Sequence, residues 1–210
     1  MRRSLRRAPI RPVLSSHRRA DHPAESSSRF NRERALASEG RVVRYIQMVA
    51  EPQELSLFRA ALRRANPSEC DLYDTYMDSV THAAIVEACL SEQQRLCVYT
   101  GMTASSDNVH VEHVVARSVS CPKNPPVDFV GRPFQTIEWR NLVACIPRDA
   151  SSCPYGAGRK GSWPSDSEQH LFISPLHPSC ESKFRYGKQG SVRPANEADE
   201  AATKTIEHLG

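Results

Sequence analysis

The chain has no run of 18 apolar residues, so no segment is long and apolar enough to cross a bilayer as a helix. Lysine is missing from the first 34 residues, which hold ten arginines against Asp21, Glu25 and Glu33. That stretch is therefore net +7, and since the 210-residue chain is +4 as a whole, residues 35–210 sum to −3. The basicity belongs to the leader, and the rest has no excess positive charge with which to hold a polyanion by bulk electrostatics. Apolar residues make up only 39%, low for a chain of this size packed throughout, so part of it is expected to be disordered. Residues 1–38 are that expected part, a basic leader that is either a solvated extension or an arm for phosphate. Its Arg and Ser content is that of a transit peptide, which its acids and prolines argue against. Seven cysteines (Cys70, Cys89, Cys97, Cys121, Cys145, Cys153, Cys180) are an odd number with no secretory-type apolar segment before them. The expectation is a soluble, cytoplasmic protein whose thiols are small buried residues or metal ligands rather than a disulfide framework.

Over residues 41–64 the apolar positions Val42, Tyr45, Ile46, Val49, Leu55, Phe58 and Leu62 recur at three- and four-residue steps, which predicts two short amphipathic helices separated at Pro52. Residues 71–90 predict a longer helix with Leu72, Tyr76, Val80, Ala84, Ile85 and Ala88 on one face. Residues 96–101 read as a strand entering a turn and residues 109–115 alternate at period two, so the two together predict a β-hairpin. Four prolines between 121 and 136 exclude a regular element there, residues 141–146 read as the start of a closing helix, and the glycines and prolines of 148–166 predict loop. A short strand at 171–176 and a last helix at 198–209 complete an α+β chain. It divides into the leader (1–38), a helical region (39–92), a hairpin core (93–176) and a C-terminal tail with helix (177–210).

The densest chemistry lies at Glu112-His113 and at Glu138-Trp139-Arg140-Asn141-Leu142. A carboxylate can hold a divalent ion, the neighbouring imidazole can take a proton from water, and an asparagine can tie down the loop between them. His113 suits the base, because an imidazole with a pKa of about 6.5 is largely neutral at physiological pH. His110, three residues earlier on the strand, falls on the opposite face. Arg117, Arg140, Arg148, Arg159 and Lys160 are candidate phosphate contacts.

The series Cys97-x-Tyr99, Glu112-His113 with Ser118, Glu138-Trp139-x-Asn141-Leu142, Ala144-Cys145, Lys160-Gly161, Phe172-Ile173-x-Pro175-Leu176, Gly190 and Ala202-x-x-Thr205-Ile206-x-x-Leu209 resembles the HNH proteins of the Septu type, over roughly residues 95–210. The resemblance implies a ββα-metal hairpin and an anti-phage endonuclease that cleaves DNA, encoded beside an ABC/SMC-like ATPase and found in some retron systems. It implies Mg²⁺ or Mn²⁺ on Glu112 and Asp149, His113 as base, and Asn141 fastening the loop. Asp149 takes the second-ligand position by its distance from Cys145; counted back from Lys160-Gly161, that position is Ala157. The family's two Cys-x-x-Cys pairs for a structural zinc are here Cys97-x-x-Thr100 and Cys145-x-x-Arg148, with Cys153 available as a third sulfur and no fourth ligand identified. Two alternatives follow from these departures: a degenerate HNH-like module that docks an ATPase or holds nucleic acid, and a small zinc-stabilised structural protein.

Overall fold

The computed structural model describes residues 43–125, 128, 130–150, 153–188 and 191–210, so the basic leader lies outside the described residues. After an irregular stretch at 43–52 come α1 (Gln53–Ala65), α2 (Leu72–Tyr76) and α3 (Ser79–Glu92). Strand β1 (His110–His113) is followed by the short helix α4 (Arg117–Ser120), 3₁₀ turns at Pro133–Ile137 and Trp139–Asn141, and β2 (Leu142–Cys145). Helix α5 (Gly156–Lys160), the ribbon β3 (Phe184–Tyr186) with β4 (Val192–Pro194), and α6 (Glu200–Leu209) complete an α+β fold. No helix among the described residues is long and apolar enough to cross a membrane.

The two sheets are separate antiparallel pairs, and β1 lies on β2 in the register His110↔Cys145, Val111↔Ala144, Glu112↔Val143 and His113↔Leu142. All four residues of β2 are buried, because α3 covers them with Ile85, Val86, Cys89 and Leu90. A two-stranded sheet leaves one edge of β2 without a partner strand, and a buried unpaired edge is costly. Gln93, fully buried just past α3, closes it. Its Oε1 accepts from Ala144 N at 2.7 Å and its Nε2 donates to Ala144 O at 2.8 Å, so a side-chain amide stands where a third strand's backbone would be. The carbonyl of Gln93 in turn accepts from Arg44 Nη1 at 3.1 Å.

Several elements differ from the sequence expectation. Residues 43–50 form no helix, since Val43 and Ile46 are buried in the core while Arg44 N and Ile46 N donate to the carbonyls of Val98 and Pro175. The expected helix over 71–90 is two, because Met77 is extended and Asp78 caps α3 by accepting from Val80 N and Thr81 N. Leu96 forms only an isolated bridge with Thr103, and the hairpin partner of β1 is 142–145, a stretch read as helix from its sequence. A four-residue apolar run fits either element, and here burial on both faces makes it strand. Residues 171–176 form no strand: a 3₁₀ turn at Asp166–Leu171 occupies their start.

Replacing Gln93 with Leu removes both partners of a buried peptide group. It should destabilise the protein by about 2–5 kcal/mol in urea unfolding, with the m-value retained; a loss below about 0.5 kcal/mol would show that the edge is satisfied some other way.

Candidate functional site

The candidate site is built at the end of β1, where the chain leaves His113, makes a long excursion through α4 and the 3₁₀ turns, and returns at Asn141. Asn141 is buried, and its carboxamide joins the two ends of that excursion. Oδ1 accepts from Val115 N at 2.7 Å, while Nδ2 donates to Val115 O at 3.1 Å and Gln135 O at 2.9 Å. A backbone bond from Val114 N to Asn141 O, 2.9 Å, completes the closure. Holding Gln135 also fixes the neighbouring peptide, so the carbonyl of fully buried Thr136 is presented to His113 Nε2 at 2.8 Å.

A carbonyl only accepts, so His113 carries its proton on Nε2 and leaves Nδ1 as a lone pair. The ring is buried, with the Tyr73 ring edge-on at 4.8 Å and 87°. Burial pushes the His113 pKa down to about 4, against the bond to Thr136 and with the help of the positive charges of Arg117 and Lys160. The imidazole is therefore neutral near pH 7, as a proton acceptor must be. A phosphate anion arriving beside it would raise its basicity by offsetting those two charges.

His113 lines a cavity of about 490 Å³ together with Glu112, Arg117, Lys123, Asp71 and Asp74. Two cations, each paired with carboxylate, define its electrostatics. Lys160, a side chain with no solvent exposure, places its ammonium 2.7 Å from Glu112 Oε1 and 3.0 Å from His113 O, tying α5 to the end of β1. Arg117 reaches Asp71 Oδ2 at 3.1 Å and Asp74 Oδ1 at 2.9 Å, both carboxylates being carried by α2 or its cap.

The structure thus brings His113, Glu112, Asn141, Arg117 and Lys160 together, with Lys160 buried instead of facing solvent as a phosphate contact. Asp149 is exposed on the segment after β2 and does not line this cavity. Ala157 lies on α5, buried, and offers no donor atom. His110 is turned to a different cavity with His82 and Arg148, its Nδ1 2.6 Å from Pro147 O. Among the described residues no group of three His, Cys, Asp or Glu side chains is placed to hold a metal ion. With Glu112 already neutralised by a buried ammonium and its expected co-ligand elsewhere, these residues do not fit the divalent ion that the resemblance implies.

The zinc expectation meets a similar limit. Cys97 and Cys145 are buried side by side, and a hydrogen bond from the Cys145 thiol lowers the Cys97 pKa to about 5, while burial raises that of Cys145 well above the usual range. Cys153 is only half-buried and interacts with Tyr155. Two paired thiols are half the complement of a structural zinc.

Sequence reasoning missed Tyr73, Asp71, Asp74 and Thr136, which no motif marks, and the Lys160–Glu112 pair, whose partners stand 48 residues apart. It also expected no disulfide, and the structure joins Cys70 to Cys121. The two are 51 residues apart, and their proximity is set by the packing of α2 beside the Pro133–Ile137 turn, which the sequence does not show.

No protein-family model matches the chain, and no curated protein matches it either.

Because His113 is held neutral, its folded pKa lies below that of the unfolded chain, about 6.5. The unfolded state then binds more protons between about pH 4 and 6.5, so stability rises with pH across that window and is lost as pH falls through it. Urea unfolding of wild type and His113→Gln at pH 4.5 and 7 should show a wild-type loss on acidification, on the order of 2 kcal/mol, that the variant lacks. Equal pH slopes in the two proteins would place the His113 pKa near its ordinary value.

Proposed function

We propose that this cavity is a phosphodiester-cleaving site of the HNH type, acting on nucleic acid with His113 as general base. The observation that carries the reading is the Thr136 carbonyl on His113 Nε2, which leaves Nδ1 unprotonated on a ring that lines a cavity together with Arg117 and Lys123. The antiparallel pair β1–β2 followed by α5 supplies the ββα order that such a hairpin needs, in a shortened form. In this reading His113 Nδ1 takes the proton of the attacking water as its oxygen bonds to phosphorus. The phosphorus–oxygen bond to the leaving strand breaks, and the departing oxygen is protonated from solvent. Arg117 and Lys123 offset the charge of the phosphate oxygens. Asn141 and Thr136 hold the ring, and Asn141 touches no reacting atom. A role in anti-phage defence, DNA as the strand that is cut, and an ABC/SMC-like ATPase as partner all come from the resemblance alone.

The ammonium of Lys160 on Glu112 favours a second reading, in which the hairpin is kept as a module that docks the ATPase or holds nucleic acid without cutting it. An internal cation there ties α5 to β1, a mechanical job that a bridging metal ion would otherwise do.

The deciding experiment is plasmid nicking by the full chain in Mg²⁺, in Mn²⁺ and in chelator, with and without the neighbouring ATPase if one is encoded. Cleavage should fall by about 10²–10⁴-fold in His113→Ala, the usual share of a general base, with the far-UV spectrum unchanged. Nicking that persists in His113→Ala would remove the assigned base; binding without cleavage in any of the three conditions would favour the docking module.

A further inference from the structure

The Cys70–Cys121 disulfide links the residue just before the cap of α2 to the residue that ends α4. Both cysteines are half-buried, within reach of a small thiol, whereas four of the other five are fully buried. The bond joins two segments of opposite charge. Asp71 and Asp74 follow Cys70, while Arg117 and Lys123 flank Cys121, and all four of these side chains line the cavity beside Cys121 and His113.

In the closed arrangement the Arg117 guanidinium is held by both carboxylates of the α2 segment and lies over the Tyr73 ring at 5.8 Å. A phosphate entering the cavity meets an arginine already neutralised and two carboxylates that repel it. Guanidinium binds carboxylate and phosphate with the same fork of donors, so the two anions compete for it. The disulfide biases this competition by keeping the carboxylates at high effective concentration. Apart from the disulfide and the Arg117 ion pairs, α2 is anchored on one side, by buried Leu72 packed with Leu62 and Ile137, by the Tyr73 ring against His113, and by a 3.4 Å bond from Tyr73 N to Thr136 Oγ1. Leu72 and Tyr73 therefore stay seated once the covalent tie is cut, while the segment from Cys70 that carries Asp71, and the Asp74 side chain, can move off Arg117.

We propose that Cys70–Cys121 is a redox-modification site that gates the cavity: the disulfide keeps the α2 carboxylates on Arg117 and excludes phosphate, and its reduction frees Arg117 for the phosphate of a nucleic-acid strand. The proposal rests on the phosphodiester reading of the cavity. The reaction is thiol–disulfide exchange with a dithiol reductant. One reductant thiolate attacks a cysteine sulfur, the protein S–S bond breaks, and a mixed disulfide forms. The second reductant thiol then resolves it, so that two electrons and two protons pass to the protein and the reductant leaves as its own disulfide.

The test measures binding of a fluorescent oligonucleotide, DNA and RNA in parallel, to the full chain before and after treatment with dithiothreitol. Titrating the denatured protein fixes its state: five free thiols when oxidised and seven when reduced. Reduction should tighten binding by about tenfold or more, the scale of recovering a charge-assisted arginine–phosphate contact. Oxidised Asp71→Asn/Asp74→Asn should bind as tightly as the reduced wild type, which keeps the test open even if Cys70→Ser/Cys121→Ser fails to fold. Equal affinity in both redox states, with binding still weakened by Arg117→Ala, would overturn the gate and leave the phosphodiester reading standing. No binding by any form, the double asparagine variant included, would remove that reading and the gate with it.

Discussion

The Asn141 carboxamide is the constraint on which the site depends. Between His113 and Leu142 the chain makes an excursion of 28 residues, and closing a loop of that length costs conformational entropy that grows with the logarithm of its length. Asn141 offsets this with three side-chain bonds, to both sides of Val115 and to Gln135, each contributing about 1 kcal/mol when buried. From that closure follow the position of the Thr136 carbonyl, the tautomer of His113 and the direction of its free nitrogen. The strand pair alone sets none of these, since it ends at His113↔Leu142.

A second constraint is the distribution of buried charge. Lys160 has no solvent exposure and is compensated by Glu112 and by the His113 carbonyl, so α5 cannot move from β1 without leaving an unpaired ammonium inside the protein. Arg117 is treated differently. Its partners sit on the five-residue helix α2 and on the cap before it, and Arg117 is more than a third exposed. One cation is thus structural and the other exchangeable, so charge in the cavity changes through Arg117 while the hairpin stays intact. Tyr73 joins the two regions, because its ring touches both His113 and Arg117.

The parts of this arrangement that are legible in the sequence are those carried by local spacing. Residues 109–115 alternate, and β1 lies within them; Glu112 and His113 are adjacent, so any strand brings them to one end together. The last helix, expected over 198–209, forms at Glu200–Leu209, where Asp199 caps it by accepting from Ala202 N. What is not legible depends on distant partners. Residues 142–145 carry no period that separates strand from helix, and only α3 and Gln93 make them a strand. Residues 43–50 have helical spacing, yet their backbone donors find Val98 and Pro175 instead of one another. The placing of Asp149 outside the cavity, and of Ala157 on α5, follows from the loop between Cys145 and Gly156, whose length no motif interprets. Cys70 and Cys121 give no signal of each other at all.

The most direct measurement of the central claim is a long-range ¹H–¹⁵N NMR titration of the His113 ring. The account predicts a proton on Nε2, an unprotonated Nδ1 at neutral pH, and protonation only as pH falls toward about 4. A ring protonated on Nδ1, or one that titrates near the ordinary value of about 6.5, would contradict the claim that Asn141 and Thr136 hold His113 as a neutral base.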